Sequence, residues 1–441
     1  MCTTDESRRG RAYAAGLEEI RTGRRTLLKV AGAGGASIAL STVAADPAAA
    51  GKVRTPKRAY VLVLDGCRPD EITPETMPHT AALRAGGLHH PYASSVPIME
   101  TIPNHVMMMT GVRPDRSGVP ANAIFDRTLG VVRDMDRASD IQVRTVIERL
   151  NAKGLRTATV LSKEYLYGVF GARATHRWEP GPIIPVSGHA PDAFTMEAAL
   201  AMLAEHDPHL MFVNLGDIDR MGHTDLTGAV LDLKLLRRTA LAATDAQVGR
   251  FVAALKASGR WNQSLVIVLA DHSMDWSRPD SLIRLQPVLE SDPPLAGRFV
   301  IAANGGADLL YWTGPDAGRE AGVARMIELC SAVPGVLRAH DPRRTAWLRT
   351  GPIGGDVVVF CKAGWRFSDP SIQSNPIPGT HGHPTTRPIP FFLAGGHRRV
   401  PRGVTASAEA KTLDVAPTLA HFFRLGAPRG GYDGRSRLPV G

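Results

Sequence analysis

Acidic residues and histidines recur along this chain at one kind of place, directly after short apolar runs. Asp65 closes "YVLVLD", and Asp217 and Asp219 follow "MFVNLG", with His223 completing "DRMGH". Asp271 and His272 close "VIVLADH", and His381 stands in "GTHGHP" ahead of a last apolar run. Mixed carboxylate and imidazole donors suit zinc, with manganese and iron compatible on ligand type. Taken singly, an Asp after a strand is usually a turn residue or helix cap, and a lone His is usually an ordinary core or surface residue. The repetition is what argues for one metal centre. A further stretch, "ETIPNHVMMMTGVRPD" (Glu100 to Asp115), sets Thr101 two residues before Pro103. Proline is tolerated in the first turn of a helix, so a short helix begins near Thr101. Its hydroxyl either caps that helix or faces an anion at the positive helix end. On this stretch alone the cap is favoured. The methionines are expected to pack the helix against a sheet.

These residues need a scaffold that gathers them, and the remaining pattern supplies one. Strand-like apolar runs ("AYVLVLDG", "RTATVLS", "LMFVNLGD", "SLVIVLAD", "PIPFFLAGG") alternate with helical ones ("RTVIERLNAKG", "DAFTMEAALAMLAEH", "LDLKLLRRTALAATDAQVGRFVAALKASG"). That alternation predicts an α/β fold with a mainly parallel sheet covered on both faces. In such sheets chain-distant residues meet in a crevice beyond the carboxyl ends of the strands. "FVIAANGGADLLYWTG", "GREAGVARMIELCSAV" and "GDVVVFCKAG" read as strand, helix and strand of a smaller inserted lobe. Asp192 is read as the cap of the helix that it starts, and Asp217 as either a support for a ligand or a turn residue.

With 441 residues, 44% of them hydrophobic, the chain can bury a large core. Its formal charge of +10 includes no basic block with interleaved aromatics after the N-terminal segment, so binding to a nucleic-acid duplex is not expected. A diffuse positive surface helps to attract anionic substrates. Residues 1–50 are read as outside the fold. "GRRTLLKVAGAGGASIALSTVAADPAAAG" has a twin arginine (Arg24, Arg25), a small-residue apolar stretch and "PAAA", and resembles a twin-arginine export signal removed near Ala50. Its apolar run is short for a membrane span, so no stable span is expected. The implied location is periplasmic, cell-envelope or secreted, with the twin-arginine translocation machinery as a partner during export. Disulfides persist there. Cys67, Cys330 and Cys361 remain after Cys2 leaves with the signal, which makes Cys330–Cys361 a candidate bridge.

From about Arg58 onward the chain resembles the type I phosphodiesterase/nucleotide pyrophosphatase family of the alkaline phosphatase superfamily. The resemblance rests on "VLVLDGCRPD", "TIPNHVMMMTGVRPDRSGVPANAIFD", "DIDRMGH", "ADHSM" and "GTHG", in that order. It is looser in the middle lobe, at about 275–378. The resemblance implies an alkaline-phosphatase-like three-layer α/β/α sandwich over residues 57–441. It implies two divalent ions, with zinc the expected metal. Asp65, Thr101, Asp271 and His272 would hold one, and Asp219, His223 and His381 the other. Thr101 would be the nucleophile, forming a phosphoryl-threonine, and Asn104 would bond a non-bridging phosphoryl oxygen. His383 is left as a substrate contact or a solvated loop histidine. "CRPDE" superficially matches a sulfatase motif, but its fifth residue is Glu and it follows the first metal aspartate. The expected activity is hydrolysis of phosphodiesters or nucleotide pyrophosphates. A phosphomonoesterase or phosphonate hydrolase on the same site, or a metal-stabilised binding protein without catalysis, are the rivals.

Overall fold

The computed structural model describes residues 55–181, 183–184, 187–225 and 234–439. The export signal read at 1–50 lies outside them. An eight-stranded sheet forms the centre, in the order Val404–Thr405, Leu88–His89, Phe391–Ala394, Ser264–Leu269, Arg58–Leu64, Leu210–Leu215, Thr157–Leu161, His176–Trp178. The last five of these run parallel, and Phe391–Ala394 joins them antiparallel. The strands Leu210–Leu215 and Ser264–Leu269 are buried throughout. Continuous apolar runs are what interior parallel strands require, since both faces are covered.

Helices flank this sheet in two groups. Pro78–Ala85 and Asp192–His206 pack on the long helix Leu235–Ala257, whereas Val146–Asn151, Glu164–Phe170 and Val415–Phe423 pack on Thr101–Thr110. The fold is the α/β sandwich with a large, mostly parallel sheet that the sequence predicts. Register explains how the acidic loops come together. Leu64 is paired with Leu215, and Val63 with Leu269. Neighbouring strands are about 4.8 Å apart, so the loops after Leu64, Leu215 and Leu269 leave the sheet side by side.

The inserted lobe differs in detail from its sequence reading. "FVIAANGGADLLYWTG" is a hairpin, with Phe299–Asn304 antiparallel to Ala307–Trp312, because Gly305 at φ +72° turns the chain as two-residue hairpin loops require. A strand that the sequence reading passed over, Val336–His340, completes a four-stranded antiparallel sheet. Its apolar core is separate from the main one and includes Leu310, Trp312, Met326, Val357 and Phe367. The proposed Cys330–Cys361 bridge is absent: both thiols are free and buried in this core, and Cys361 Sγ donates to the Trp365 carbonyl at 3.2 Å. They pack as small apolar groups.

Candidate active site

The helix Thr101–Thr110 is buried along its whole length, the three methionines included, and ends at Gly111 in the left-handed region. Its N-cap residue is Glu100, and Thr101 is the first helical residue. The capping reading of Thr101 therefore fails. Its Oγ1 lies instead 3.1 Å from His272 Nε2.

Around it stand the residues expected to bind metal. Asp219 and His223 are one turn apart on the helix Asp217–Thr224, with His223 Nε2 3.3 Å from Asp219 Oδ1. His381 follows the short strand Gly379–Thr380, which pairs with Asp275–Trp276. That pairing brings His381 Nε2 within 3.9 Å of Asp219 Oδ1 and stacks its ring 3.7 Å from that of His272. His272 Nε2 is 3.3 Å from Asp271 Oδ2 and 3.8 Å from Asp65 Oδ1. Potential donor atoms thus cluster as Asp219, His223 and His381, and beside them as Asp65, Asp219 and His272, and as Asp65, His105 and Asp271.

The hydrogen bonds show what these side chains are prepared to do. Each of the three carboxylates has one oxygen held by a hydrogen bond, and in Asp219 and Asp271 the other is bare. Asp65 Oδ2 accepts from Asn214 Nδ2 at 2.8 Å, and Asp271 Oδ1 from the Gly66 and His272 amides at 3.1 and 3.0 Å. Asp219 Oδ2 accepts from Lys163 Nζ at 2.6 Å. Asp219 Oδ1 and Asp271 Oδ2 have no hydrogen-bond partner, although both are buried, and Asp65 Oδ1 meets only the Lys163 ammonium, at 2.7 Å. Each histidine is turned the same way. His223, His272 and His381 set Nδ1 against the carbonyls of Gly379, Ser273 and Met99 at 2.8, 3.0 and 3.2 Å. Nδ1 therefore carries the proton and Nε2 presents a lone pair.

Three buried carboxyl groups crowd the one buried ammonium of Lys163, which is 2.7 Å from Asp65 Oδ1 and 2.6 Å from Asp219 Oδ2. Burial, and then its like-charged neighbour Asp271, pushes the Asp65 carboxyl up, and burial does the same to Asp271. Burial lowers His272 to about 4, keeping its imidazole neutral. Bare oxygens, neutral Nε2 atoms and crowded carboxyl groups are what divalent cations take up. Donors around a tetrahedral zinc lie about 3.3 Å apart, close to the separations found here. The donor set fits such ions.

Other residues of the site were missed or misread in the sequence. Asn104 is fully buried and its amide is spent. Nδ2 donates to the carbonyls of Val96, Ile98 and Glu100 at 3.1, 3.0 and 3.0 Å, and Oδ1 accepts from the Val96 amide and Thr412 at 3.0 and 2.8 Å. It ties the turn before Thr101 and has nothing left for a phosphoryl oxygen. Asn122, by contrast, faces the cleft. Its Oδ1 accepts from the Ile102 amide at 2.8 Å, which holds the side chain over the nucleophile helix, and it lines the cleft with Thr101. The signal was present, as the Asn of "PANAIFD". His105 sits among the donors but is saturated, with Nδ1 on the Thr101 carbonyl at 2.8 Å and Nε2 facing Asn214 Nδ2 at 3.2 Å. Arg237, hidden in a long amphipathic pattern, is fully buried and bonds Glu71, the Gly66 carbonyl and the Ile218 carbonyl. It braces the two loops that carry Asp65 and Asp219.

Asp217 supports no ligand. Its carboxylate contacts His189 Nε2 at 2.9 Å and accepts from the Asp192 amide at 3.1 Å. Asp192 is not a cap, since Pro191 occupies that position. Its Oδ1 accepts from the Asp217 amide and its Oδ2 from the Thr244 hydroxyl. His383 is neither solvated nor in the cleft: it is buried, with Nε2 2.9 Å from Asp275 Oδ2.

The sequence model of the type I phosphodiesterase / nucleotide pyrophosphatase family matches residues 59–384. The chain belongs to this family. A bis(5'-adenosyl)-triphosphatase, ENPP4 of Bos taurus, is 24% identical over 400 residues, covering 84% of this chain and 79% of its own. Human ectonucleotide pyrophosphatase/phosphodiesterase family member 5 is 24% identical over 258 residues, 54% of this chain and 49% of its own. Among solved structures, murine ectonucleotide pyrophosphatase/phosphodiesterase 5 superposes with a TM-score of 0.70 at 17% identity, over 84% of this chain and 96% of that one. An inactive form of that murine protein has been solved with AMP. Phosphonoacetate hydrolase of Sinorhizobium meliloti 1021 gives a TM-score of 0.64 at 17% identity, over 83% and 95%. The protein is thus an enzyme of a metal-dependent phosphodiesterase/pyrophosphatase family. Among the described residues, no helix is long and apolar enough to cross a membrane.

Proposed function

We propose that this enzyme is an exported hydrolase of phosphodiesters or nucleotide pyrophosphates that uses Thr101 as nucleophile. The observation that carries the reading is the position of Thr101 Oγ1, 3.1 Å from His272 Nε2 at the positive end of a buried helix, beside the bare carboxylate oxygens of Asp219 and Asp271. Asp65, Asp271, His272 and Thr101 would hold one divalent ion, and Asp219, His223 and His381 a second, with zinc the metal that the donors favour. Bound there, such ions would supply positive charge to the attacking and leaving oxygens of an in-line displacement.

The chain's own groups account for the rest. Thr101 Oγ forms a bond to phosphorus as the bond to the leaving alcohol or phosphate breaks on the opposite side. The leaving oxygen keeps the electron pair and takes a proton. Asn122 Nδ2 would face the phosphoryl oxygens, where charge grows in the transition state. A water molecule then attacks the phosphoryl-threonine, displaces Thr101 Oγ and releases the phosphoryl product. Residues 1–50 are read as a removable twin-arginine signal and 57–441 as the enzyme domain, with 275–378 as its inserted lobe. The ectoenzyme names of the relatives agree with export.

The test is hydrolysis of bis(p-nitrophenyl) phosphate against p-nitrophenyl phosphate by zinc-loaded protein lacking residues 1–50, with Thr101→Ala beside it. A preference for the diester that collapses in the variant is the expected result. Turnover unchanged by Thr101→Ala overturns the mechanism, and a preference for the monoester moves the function to phosphomonoesterase.

A further inference from the structure

Arg220 follows the ligand position Asp219 and lines the same cleft of about 260 Å³ as Thr101, Asn122, Tyr165 and His381. Unlike its neighbours, it has no task in the fold. Arg237 engages Glu71 and two backbone carbonyls, and Arg68 is paired with Asp70. The Arg220 guanidinium makes no hydrogen bond and no ion pair with any described residue. Its Nε is enclosed and has no partner. Its one ordered contact is the ring of Tyr165, whose centroid lies 5.6 Å from the guanidinium carbon.

Asp219 and Asp65 attract the Arg220 guanidinium from a distance, but no described residue bonds its donors, which have given up water without a hydrogen bond in return. Stacking on an aromatic face returns only about 0.5–2 kcal/mol and leaves the planar fork of donors unused. Asp219 cannot serve as the partner: its Oδ2 is held by Lys163 and its Oδ1 faces His223. The other cation of the site, Lys163, is fully committed to Asp65 and Asp219. Of the cleft's remaining acids, Glu100 turns its Oε2 to the Asn122 amide at 2.7 Å, and Asp134 is exposed. The reacting phosphoryl group already has the Asn122 side-chain amide as a donor in the proposed reading. A guanidinium fork left over in a cleft of this size is a receptor for a different anion on the same substrate.

We infer that Arg220, stacked on Tyr165, binds a second anionic group of the substrate, a phosphate or carboxylate close to the scissile phosphorus, and so selects phosphoryl compounds that carry one. This rests on the reading of Thr101 as nucleophile, and it goes further by assigning a specificity-determining residue and the charge that the substrate must bear. Diesters with two uncharged substituents lack that group and forgo the contact.

The test compares kcat/KM for ATP and for bis(p-nitrophenyl) phosphate in the zinc-loaded wild type, Arg220→Ala and Arg220→Lys. Arg220→Ala is expected to lose at least tenfold more on ATP than on the diester, and Arg220→Lys to recover part of that difference. Equal losses on both substrates would make Arg220 a partner of the reacting phosphoryl group or a structural residue, and would overturn the inference. A binding arm uses ADP and orthophosphate with zinc-loaded Thr101→Ala protein, with and without Arg220→Ala, by calorimetry. A tenfold weakening of ADP relative to orthophosphate is expected, and an unchanged ratio overturns the inference. Turnover that survives Thr101→Ala would remove the proposed mechanism while the binding arm still decides the role of Arg220. Thermal unfolding of each variant separates misfolding from lost contacts.

Discussion

At the carboxyl end of the central sheet, Asp219 and Asp271 each keep one buried oxygen bare; at the amino end of the same strands the carboxylate is paired. There Asp207 accepts from Arg58 at 3.0 and 2.5 Å and from Arg260 at 2.8 Å. His209 Nδ1 accepts from the Arg156 amide at 3.2 Å, and the backbone of His209 bonds Ala59 and Arg156. Both ends carry charge, so charge alone does not mark a site. What separates them is whether the fold itself satisfies that charge. A buried group left unpaired destabilises the fold by a few kcal/mol, which persists only where something else is bound.

The largest expected effect breaks the unpaired end. Asp219→Asn removes a charge and a bare oxygen while keeping the side chain's shape. Metal content measured by mass spectrometry should fall, and hydrolysis of bis(p-nitrophenyl) phosphate should drop by about a thousandfold or more. Asp308 in the lobe is the control, a buried carboxyl that burial pushes well up and so holds as the neutral acid. Asp308→Asn should leave metal content and rate close to wild type. An equal loss in both variants would show that unpaired charge at the sheet's carboxyl end has no special role.

The two asparagines next to the nucleophile sharpen the contrast. Asn122→Ala removes an amide facing the cleft and should lower kcat by about 10²–10³, while the loss of one acceptor, for the Ile102 amide, should cost less stability than Asn104→Ala. Asn104→Ala leaves the carbonyls of Val96, Ile98 and Glu100 without their donor and should cost about 2–5 kcal/mol of stability. A rate loss without destabilisation in Asn104→Ala would return the phosphoryl contact to that residue.

These pairs also show what was legible in the sequence. The candidate ligands Asp65, Asp219, Asp271 and His272 could be read because they stand at the ends of continuous apolar strands, and the parallel register then brings those strand ends together. The sheet was legible for the same reason. The phosphoryl contact of Asn104 rests on the family resemblance alone, and its amide turns instead to the carbonyls of Val96, Ile98 and Glu100. Arg237 and Lys163 were invisible because one buried cation inside a helical or loop pattern looks like a solvated one until its carboxylate partners are placed. The lobe's hairpin was hidden inside a single apolar run, although Gly305–Gly306 was the turn signal.

At the paired end the expected effects are on stability. Burial, with Arg58 and Arg156 adding to it, lowers His209 to about 4, against about 6.5 in an unfolded chain. The unfolded state therefore binds the proton first. The stabilisation is complete above about pH 6.5 and is lost as the pH falls towards 4. His209→Asn, which keeps an acceptor for the Arg156 amide, should unfold with a flatter pH dependence across that window. An unchanged slope in urea titrations would assign the dependence to other groups.

The smallest effect belongs to Asp207, whose carboxyl is held below the ordinary range by Arg58, with Arg260 adding to it, even though burial opposes the shift. A lowered carboxyl contributes stability above its unfolded value near 3.9, and that contribution disappears as the pH falls below it. Asp207 is at φ 42°, a left-handed conformation that Asn adopts as readily as Asp, so Asp207→Asn tests charge with the backbone undisturbed. With a third of the carboxylate side chain exposed, solvent screens the pairs, and the loss at neutral pH should be about 1 kcal/mol. The loss should shrink in high salt, and the variant and wild type should converge in stability at acid pH. Activity should not move, because Arg58 and Arg260 would then face water at the sheet's amino end rather than the cleft. A rate loss comparable to that of Asn122→Ala would mean that the two ends are coupled through the strands, and that satisfied charge at one end sets the geometry of unsatisfied charge at the other.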